Sequence, residues 1–319
     1  MEEFFLNAPA KCVAQTCIAH ACASCCTMYG MKRLSLDTSA VNALADDSGS
    51  LPLLAGIRTG YFTRLTCPSI EEPWATPDPV RRAVLFRTLR KLLIDGECLQ
   101  THDFLTSTLV RNYEEYGTSK WASTDIRFKA CEEAIARDEF LDAHTNNVRA
   151  FNLEAEKEFE RLLDERPNFE RLFLDAAWRP ANARELLDLL LNGDGDGEAF
   201  SIAGAQLYKR TAGYLPTKDK LRAFVLDCPP FLAAMLAALQ ASYEWAVREK
   251  QVKLRKRVNR MDLFAAIYLP YCDVYVTGDV EQMGCLTEVA SLAGLSTDVI
   301  HYHEFRVKLD PFSPLRLSA

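Results

Sequence analysis

Residues 259–279 read N-R-M-D-L-F-A-A-I-Y-L-P-Y-C-D-V-Y-V-T-G-D. The stretch opens on a polar helix start carrying Asp262. It passes through an apolar helical run, Leu263 to Ile267, and turns at Pro270. A short strand, Val274–Val276, then ends on Thr277-Gly278-Asp279. A helix running into a strand can bring its first acid, Asp262, and the acid just past the strand, Asp279, to one edge of a sheet. Two carboxylates held together repel and raise each other's pKa. As ligands for a divalent cation they make chemical sense. Asp273 lies at the other end of the same strand and reads as a turn residue.

Working outward, the N-terminal third repeats the pattern. Arg33–Leu36 reads as a strand with Asp37 at its carboxyl end, and Thr38 or Ser39 caps a helix running to about Asp46. Ser48–Gly60 holds Gly49, Pro52, Gly56 and Gly60 and reads as a loop. Tyr61–Cys67, aromatic and β-branched, reads as a second strand. It leads into Pro68-Ser69-Ile70-Glu71-Glu72-Pro73, again acids just past a strand. Asp78-Pro79 opens an amphipathic helix, Val80–Ile94. Sites in parallel α/β sheets form beyond the carboxyl ends of the strands, so these acids stand where a site belongs. The expected class is α/β: a three-layer fold with a short parallel sheet flanked by helices, and a mostly α-helical insertion.

That insertion spans residues 101–254, where apolar residues recur at three and four and strand signals are absent. The α/β core then occupies 31–100 and 255–305. The helix expected from Phe231 to about Val258 turns strongly basic, and Lys253, Arg255, Lys256 and Arg257 precede Arg260. A solvated helix face and a contact to a phosphate backbone both account for this run. Beyond Asp279 a helix, Val280–Ala293, and a last strand, Asp298–Tyr302, are expected. His301 and His303 fall on one face of that strand. An exposed edge explains them better than a ligand role. Residues 306–319 form an irregular tail.

Composition narrows the field. The chain has 319 residues, nearly half of them apolar, and a formal charge of −7. That charge argues against a surface coated for nucleic acid while leaving room for a local basic patch. No apolar run reaches the roughly 18 residues of a membrane span, so a cytoplasmic protein without membrane association is expected. Of eleven cysteines, five lie between Cys12 and Cys26. Their spacing, with His20, is too compact for paired zinc ligands. Residues 1–30 therefore read as a loosely ordered extension, with Met31 a natural alternative start. The six remaining cysteines read as buried free thiols. Asn192–Gly197 starts like a calcium loop, but its twelfth position is Ala203, so a glycine-rich turn is expected.

Asp37, Glu72 (or Glu71), Asp262 and Asp279 can thus converge at one sheet edge. Hard oxygen ligands without a Cys/His set favour Mg²⁺ or Mn²⁺, and such sites hydrolyse phosphodiesters. No phosphate-binding glycine loop or dinucleotide fingerprint competes. Two stretches, L-D-T-S-A-V-N-A-L at 36–44 and D-L-F-A-A-I-Y-L-P-Y-C-D-V-Y-V-T-G-D at 262–279, together resemble the PIN-domain nucleases. The resemblance implies a metal-dependent endoribonuclease, RNA favoured over DNA, of the kind found among toxins and defence effectors. It implies Asp37, Glu72, Asp262 and Asp279 as catalytic and metal-binding residues, with Thr38, Ser39, Glu71 and Thr277 in support. Homodimerisation and an inhibitory protein partner also follow from the resemblance alone. The long helical stretch between the second and third acids departs from the family's compact form. Competing readings are a non-cleaving interaction module on the same scaffold and a structure-specific DNA nuclease.

Overall fold

The structure, a computed structural model, describes residues 30–137, 145–146, 148–150, 153, 157, 182–192, 204–243 and 264–309. All the elements below belong to one compact unit, Lys32–Ala319. In chain order they are β1 (Lys32–Leu36), α1 (Thr38–Asp46), α2 (Ser50–Gly60), β2 (Tyr61–Leu65), α3 (Pro68–Ala75), α4 (Pro79–Leu92) and β3 (Glu97–Cys98). There follow α5 (His102–Tyr116), α6 (Lys129–Arg137), α7 (Ala183–Asn192), α8 (Gly204–Ala212), α9 (Lys218–Asp227) and α10 (Pro229–Tyr243). The last are a 3-10 helix (Ala266–Tyr271), β4 (Val274–Thr277), α11 (Val280–Leu292), β5 (Asp298–His301) and α12 (Tyr302–Leu309).

The five strands pair in parallel in the order β3-β2-β1-β4-β5. Alternation sorts their side chains to two faces. Leu34 and Leu36 of β1, Val274 and Val276 of β4, Leu65 and Ile300 enter one core with Val41, Leu44, Ile57, Leu85, Leu89 and Phe305 from α1, α2, α4 and α12. Tyr275 enters the other, with Leu286 and Val289 of α11 and Phe231 and Leu236 of α10. Every residue of β4 is buried, as a strand covered on both faces must be. Each fully buried leucine contributes roughly 1.5–3 kcal/mol, so burial of this kind fixes the register. The α/β three-layer expectation therefore holds. Helices from the expected insertion supply much of the second layer.

Three local expectations need correction. Ser50–Gly60 is a helix. Leu53, Leu54 and Ile57 are buried at helical spacing, and Pro52 falls in the first turn, where its missing N–H costs nothing. Asp37 itself caps α1, accepting from the Ala40 amide; neither Thr38 nor Ser39 does. The last strand stops at His301 and a helix begins at Tyr302, so His301 and His303 do not share a strand face.

β3 has only two residues and carries no readable period. It is held by the Leu99 amide donating to Leu65 at 2.8 Å and by an Arg64–Glu97 ion pair at 2.7 Å. Gly96 before it lies so close to β2 that a Cβ would stand 2.5 Å from the Thr63 carbonyl oxygen.

Pro270 sits inside the 3-10 helix, whose residues are all buried. Residues 1–29, 138–144, most of 147–181, 193–203, 244–263 and 310–319 lie outside the described residues. The described cysteines are free; Cys67, Cys98, Cys228 and Cys272 are buried, and Cys131 and Cys285 half-buried. Among the described residues, no single helix is long and apolar enough to cross a membrane.

Candidate functional site

The strand order reverses direction between β1 and β4: successive strands run outward through β2 and β3 on one side and through β5 on the other. The helices leaving these two strands, α1 and α11, pack into the cores on opposite faces of the sheet. Diverging helices leave a crevice beyond the carboxyl ends of the two strands, the place where open α/β sheets bind ligands. Asp37 follows β1 and Thr277-Gly278-Asp279 ends β4, so the fold brings these two motifs, 240 residues apart, side by side. The ladder extends to the Asp37 amide, which donates to Val276 at 2.9 Å.

Asp37 is 8% exposed. Its Oδ1 accepts from the Ala40 amide at 2.7 Å and its Oδ2 from the Thr277 hydroxyl at 2.7 Å, while Ser39 Oγ lies 2.8 Å from both oxygens. Burial pushes the Asp37 carboxyl above its usual range. The Ala40 amide, the Thr277 and Ser39 hydroxyls and the Gly278 amide pull the other way without restoring it. No lysine, arginine or histidine among the described residues pairs with it. The site thus holds a carboxylate whose charge is opposed only by neutral donors, and a cation would stabilise it most.

Thr277 is fully buried and stands at the centre of this network. Besides Asp37 it meets Gln282 Oε1 at 2.6 Å and receives the Asp279 amide at 3.0 Å. A hydroxyl owns one proton, so Asp37 and Gln282 compete for it as their amide and carboxylate oxygens stand. Ser39 accepts the Gly278 amide at 2.6 Å. A Cβ on Gly278 would lie 3.0 Å from Ser39 Oγ and 3.2 Å from its carbonyl oxygen, so the two segments touch through backbone. Asp279 is exposed. Its Oδ1 caps α11, accepting from Glu281 at 2.7 Å and Gln282 at 3.0 Å. Its Oδ2 makes no hydrogen bond with the described residues.

The remaining expected site residues fall differently. Thr38 turns away from Asp37 and donates to the Pro68 carbonyl at 3.2 Å, tying α1 to α3. Glu71 lies in the first turn of α3 and accepts from the Cys67 thiol at 3.1 Å. Burial pushes that thiol well above its usual range, and the Glu71 carboxylate adds to the shift. Glu72 is half-buried on the same helix, and its carbonyl accepts from Thr76 at 3.3 Å. Neither glutamate is among the groups that hold the Asp37 carboxylate. Asp262, Lys253, Arg255, Lys256, Arg257 and Arg260 lie outside the described residues.

The groups around Asp37 fit Mg²⁺ or Mn²⁺ in kind, being carboxylate and hydroxyl oxygens. They do not complete a coordination shell: no group of three or more acidic, histidine or cysteine side chains able to hold a metal is found among the described residues. Two participants were not anticipated from sequence. Gln282 is an ordinary-looking helix residue whose role appears only once Thr277 is placed. His301 looked like an exposed edge residue, yet it bonds the Gly278 carbonyl.

By fold this is an α/β protein with Asp37 and Asp279 at the point where the strand order reverses. Comparison with protein-family models, with curated proteins and with solved structures returned no match to this chain.

Proposed function

We propose that the chain is a divalent-cation-dependent nuclease related to the PIN domains, hydrolysing phosphodiester bonds with RNA favoured over DNA. The observation that carries this reading is the buried Asp37 carboxylate, held only by neutral donors beside the Thr277-Gly278-Asp279 turn. Asp37 and Asp279 would bind Mg²⁺ or Mn²⁺, with Glu72 (or Glu71) and Asp262 as the further ligands. Such a cation supplies Lewis-acid polarisation of the phosphate and makes water acidic enough to serve as nucleophile near neutral pH. The protein's own part is to orient. Ser39 and Thr277 hold the Asp37 carboxylate in one rotamer, and the α11 cap holds Asp279. The basic run at Lys253, Arg255, Lys256, Arg257 and Arg260 would follow the nucleic-acid backbone. Control by an inhibitory protein, homodimerisation and a cytoplasmic setting belong to the same reading.

A second reading is a non-cleaving interaction module on this scaffold, in which Asp37 serves to cap α1 and to tie it to β4 through Thr277. The purified full chain incubated with end-labelled single-stranded RNA and DNA in Mg²⁺ or Mn²⁺ separates the two. The nuclease reading expects cation-dependent cleavage that is lost in Asp37→Ala and Asp279→Ala. Cleavage unchanged in both variants removes the site assignment. Wild type inert across a broad substrate panel favours the module. Changing Lys253, Arg255 and Arg257 together to alanine should weaken nucleic-acid binding and flatten its salt dependence by about three phosphate contacts' worth. An unchanged salt slope returns that run to a solvated helix face.

A further inference from the structure

His301 is the last residue of β5 and pairs in register with Thr277. It is half-buried, and its Nε2 lies 3.0 Å from the Gly278 carbonyl oxygen. Its Nδ1 accepts from the His303 amide at 3.2 Å, in the first turn of α12. A ring nitrogen facing a carbonyl must donate, and one facing an amide must accept. The neutral ring with its proton on Nε2 satisfies both contacts. With both nitrogens committed to backbone, His301 is not a cation ligand.

What it holds is the peptide linking Gly278 to Asp279. The carbonyl of that peptide receives His301 Nε2, and its N–H donates to Thr277 Oγ1 at 3.0 Å. The preceding peptide is fixed as well, since the Gly278 amide donates to Ser39 Oγ at 2.6 Å. Two successive peptides at the end of β4 are therefore clamped from opposite sides, by α1 through Ser39 and by β5 through His301. Glycine at 278 leaves the backbone itself no side chain to stiffen the turn, so these bonds set the direction in which Asp279 leaves the sheet.

We propose that His301 is a positioning residue for Asp279, acting through the Gly278 carbonyl and touching neither substrate nor cation. This rests on the reading of the crevice as a phosphodiester-hydrolysing site. A misplacement of a site group by about 1 Å can cost about 100-fold in rate, so a contact of this kind reads out in turnover. Glutamine places a terminal N–H about as far from the backbone as imidazole Nε2 does, and keeps the donor to Gly278.

The test compares full-length wild type, His301→Ala, His301→Gln and His303→Ala for Mn²⁺-dependent turnover of a labelled oligoribonucleotide. Amide hydrogen exchange over 277–282 is followed in the same proteins. The expected result is a fall in kcat of about 10- to 100-fold for His301→Ala with KM within about twofold, recovery in His301→Gln to within about threefold of wild type, and wild-type behaviour in His303→Ala. A kcat unchanged in His301→Ala overturns the proposal, as does a glutamine variant as slow as the alanine one. Should wild type cleave nothing, the nuclease reading alone has failed and exchange decides. Faster exchange of the Asp279 amide in His301→Ala, reversed by glutamine, then supports the clamp. Equal exchange in all four proteins overturns it.

Discussion

β1 and β4 lie side by side and carry one aspartate clamp at each end, and the two clamps are built on opposite principles. At the amino end, Asp273 receives the Arg33 side chain at 2.6 and 3.0 Å and the Arg33 amide at 2.7 Å. The guanidinium holds the Asp273 carboxyl below its usual range. At the carboxyl end, Asp37 joins the same two strands through Thr277 and Ser39, and burial drives its carboxyl the other way. A clamp that only has to stabilise the sheet uses a charge and its counter-charge. One that buries a carboxylate among neutral hydroxyls leaves its charge free to be matched by something that binds. Under the proposed function, the pair sets a residue kept for folding beside one kept for cation binding.

The sharpest way to break that contrast is to neutralise each aspartate with asparagine. For Asp37→Asn the expected loss of cleavage is about 10³-fold, measured as single-turnover rate in Mn²⁺. The same change should make the cation-free protein slightly more stable. Asparagine still caps α1, the neighbouring hydroxyls can turn to meet its amide, and a buried charge is gone. The sign follows from linkage. A folded-state pKa raised above the unfolded value, about 3.9 for Asp, means stability falls as pH rises from there through the raised value. The variant should lack that slope in chelator, read as the unfolding midpoint between pH 4 and pH 8. A lower midpoint for the variant at pH 7 would mean the carboxylate is a structural asset after all.

A smaller effect is expected from Gly278→Ala. Its Cβ would press on Ser39 at 3.0–3.2 Å, partly against backbone. Crowding of this kind costs about 1–3 kcal/mol, seen in the denaturant midpoint, together with a drop in cleavage as Ser39 and Asp37 shift. Smallest should be Asp273→Asn. Arg33 and Asp273 are 38% and 34% exposed at the side chain, so solvent screening limits their bond to roughly 0.5–1 kcal/mol. Because the folded pKa of Asp273 is lowered, this increment is present above about pH 3.9 and fades as pH falls through the folded value. The gap between wild type and variant should therefore close in acid, while cleavage at neutral pH stays as in wild type.

Much of this arrangement was legible in the sequence because it rests on local rules. The strands ending at Asp37 and Asp279 announce themselves by β-branched and aliphatic residues followed by an acid. Asp273 does lie before β4, at the end away from Asp279, where it pairs with Arg33. What escaped had no local signal. The helix 50–60 was obscured by its glycines and Pro52, and its packing on β2, α4, α12 and α1 stabilises it. β3 is two residues long and depends on an ion pair with β2, a partner that no window of sequence contains. Gln282 and His301 acquire roles only through Thr277 and Gly278, which lie on the neighbouring turn and strand. The middle of the proposed ligand set is where sequence and structure part furthest. Glu71 accepts from Cys67, and Glu72 shares no hydrogen bond with Asp37.

Under the proposed function, the carboxyl end of the β1–β4 pair, and not its amino end, receives a cation. Direct Mn²⁺ binding, followed by the loss of the free-ion EPR signal on titrating the full chain, tests it with wild type, Asp37→Asn and Asp273→Asn side by side. The account predicts binding in wild type and Asp273→Asn alike, weakened at least about tenfold in Asp37→Asn, about 1.4 kcal/mol. Equal binding in all three proteins, or a loss confined to Asp273→Asn, would contradict it.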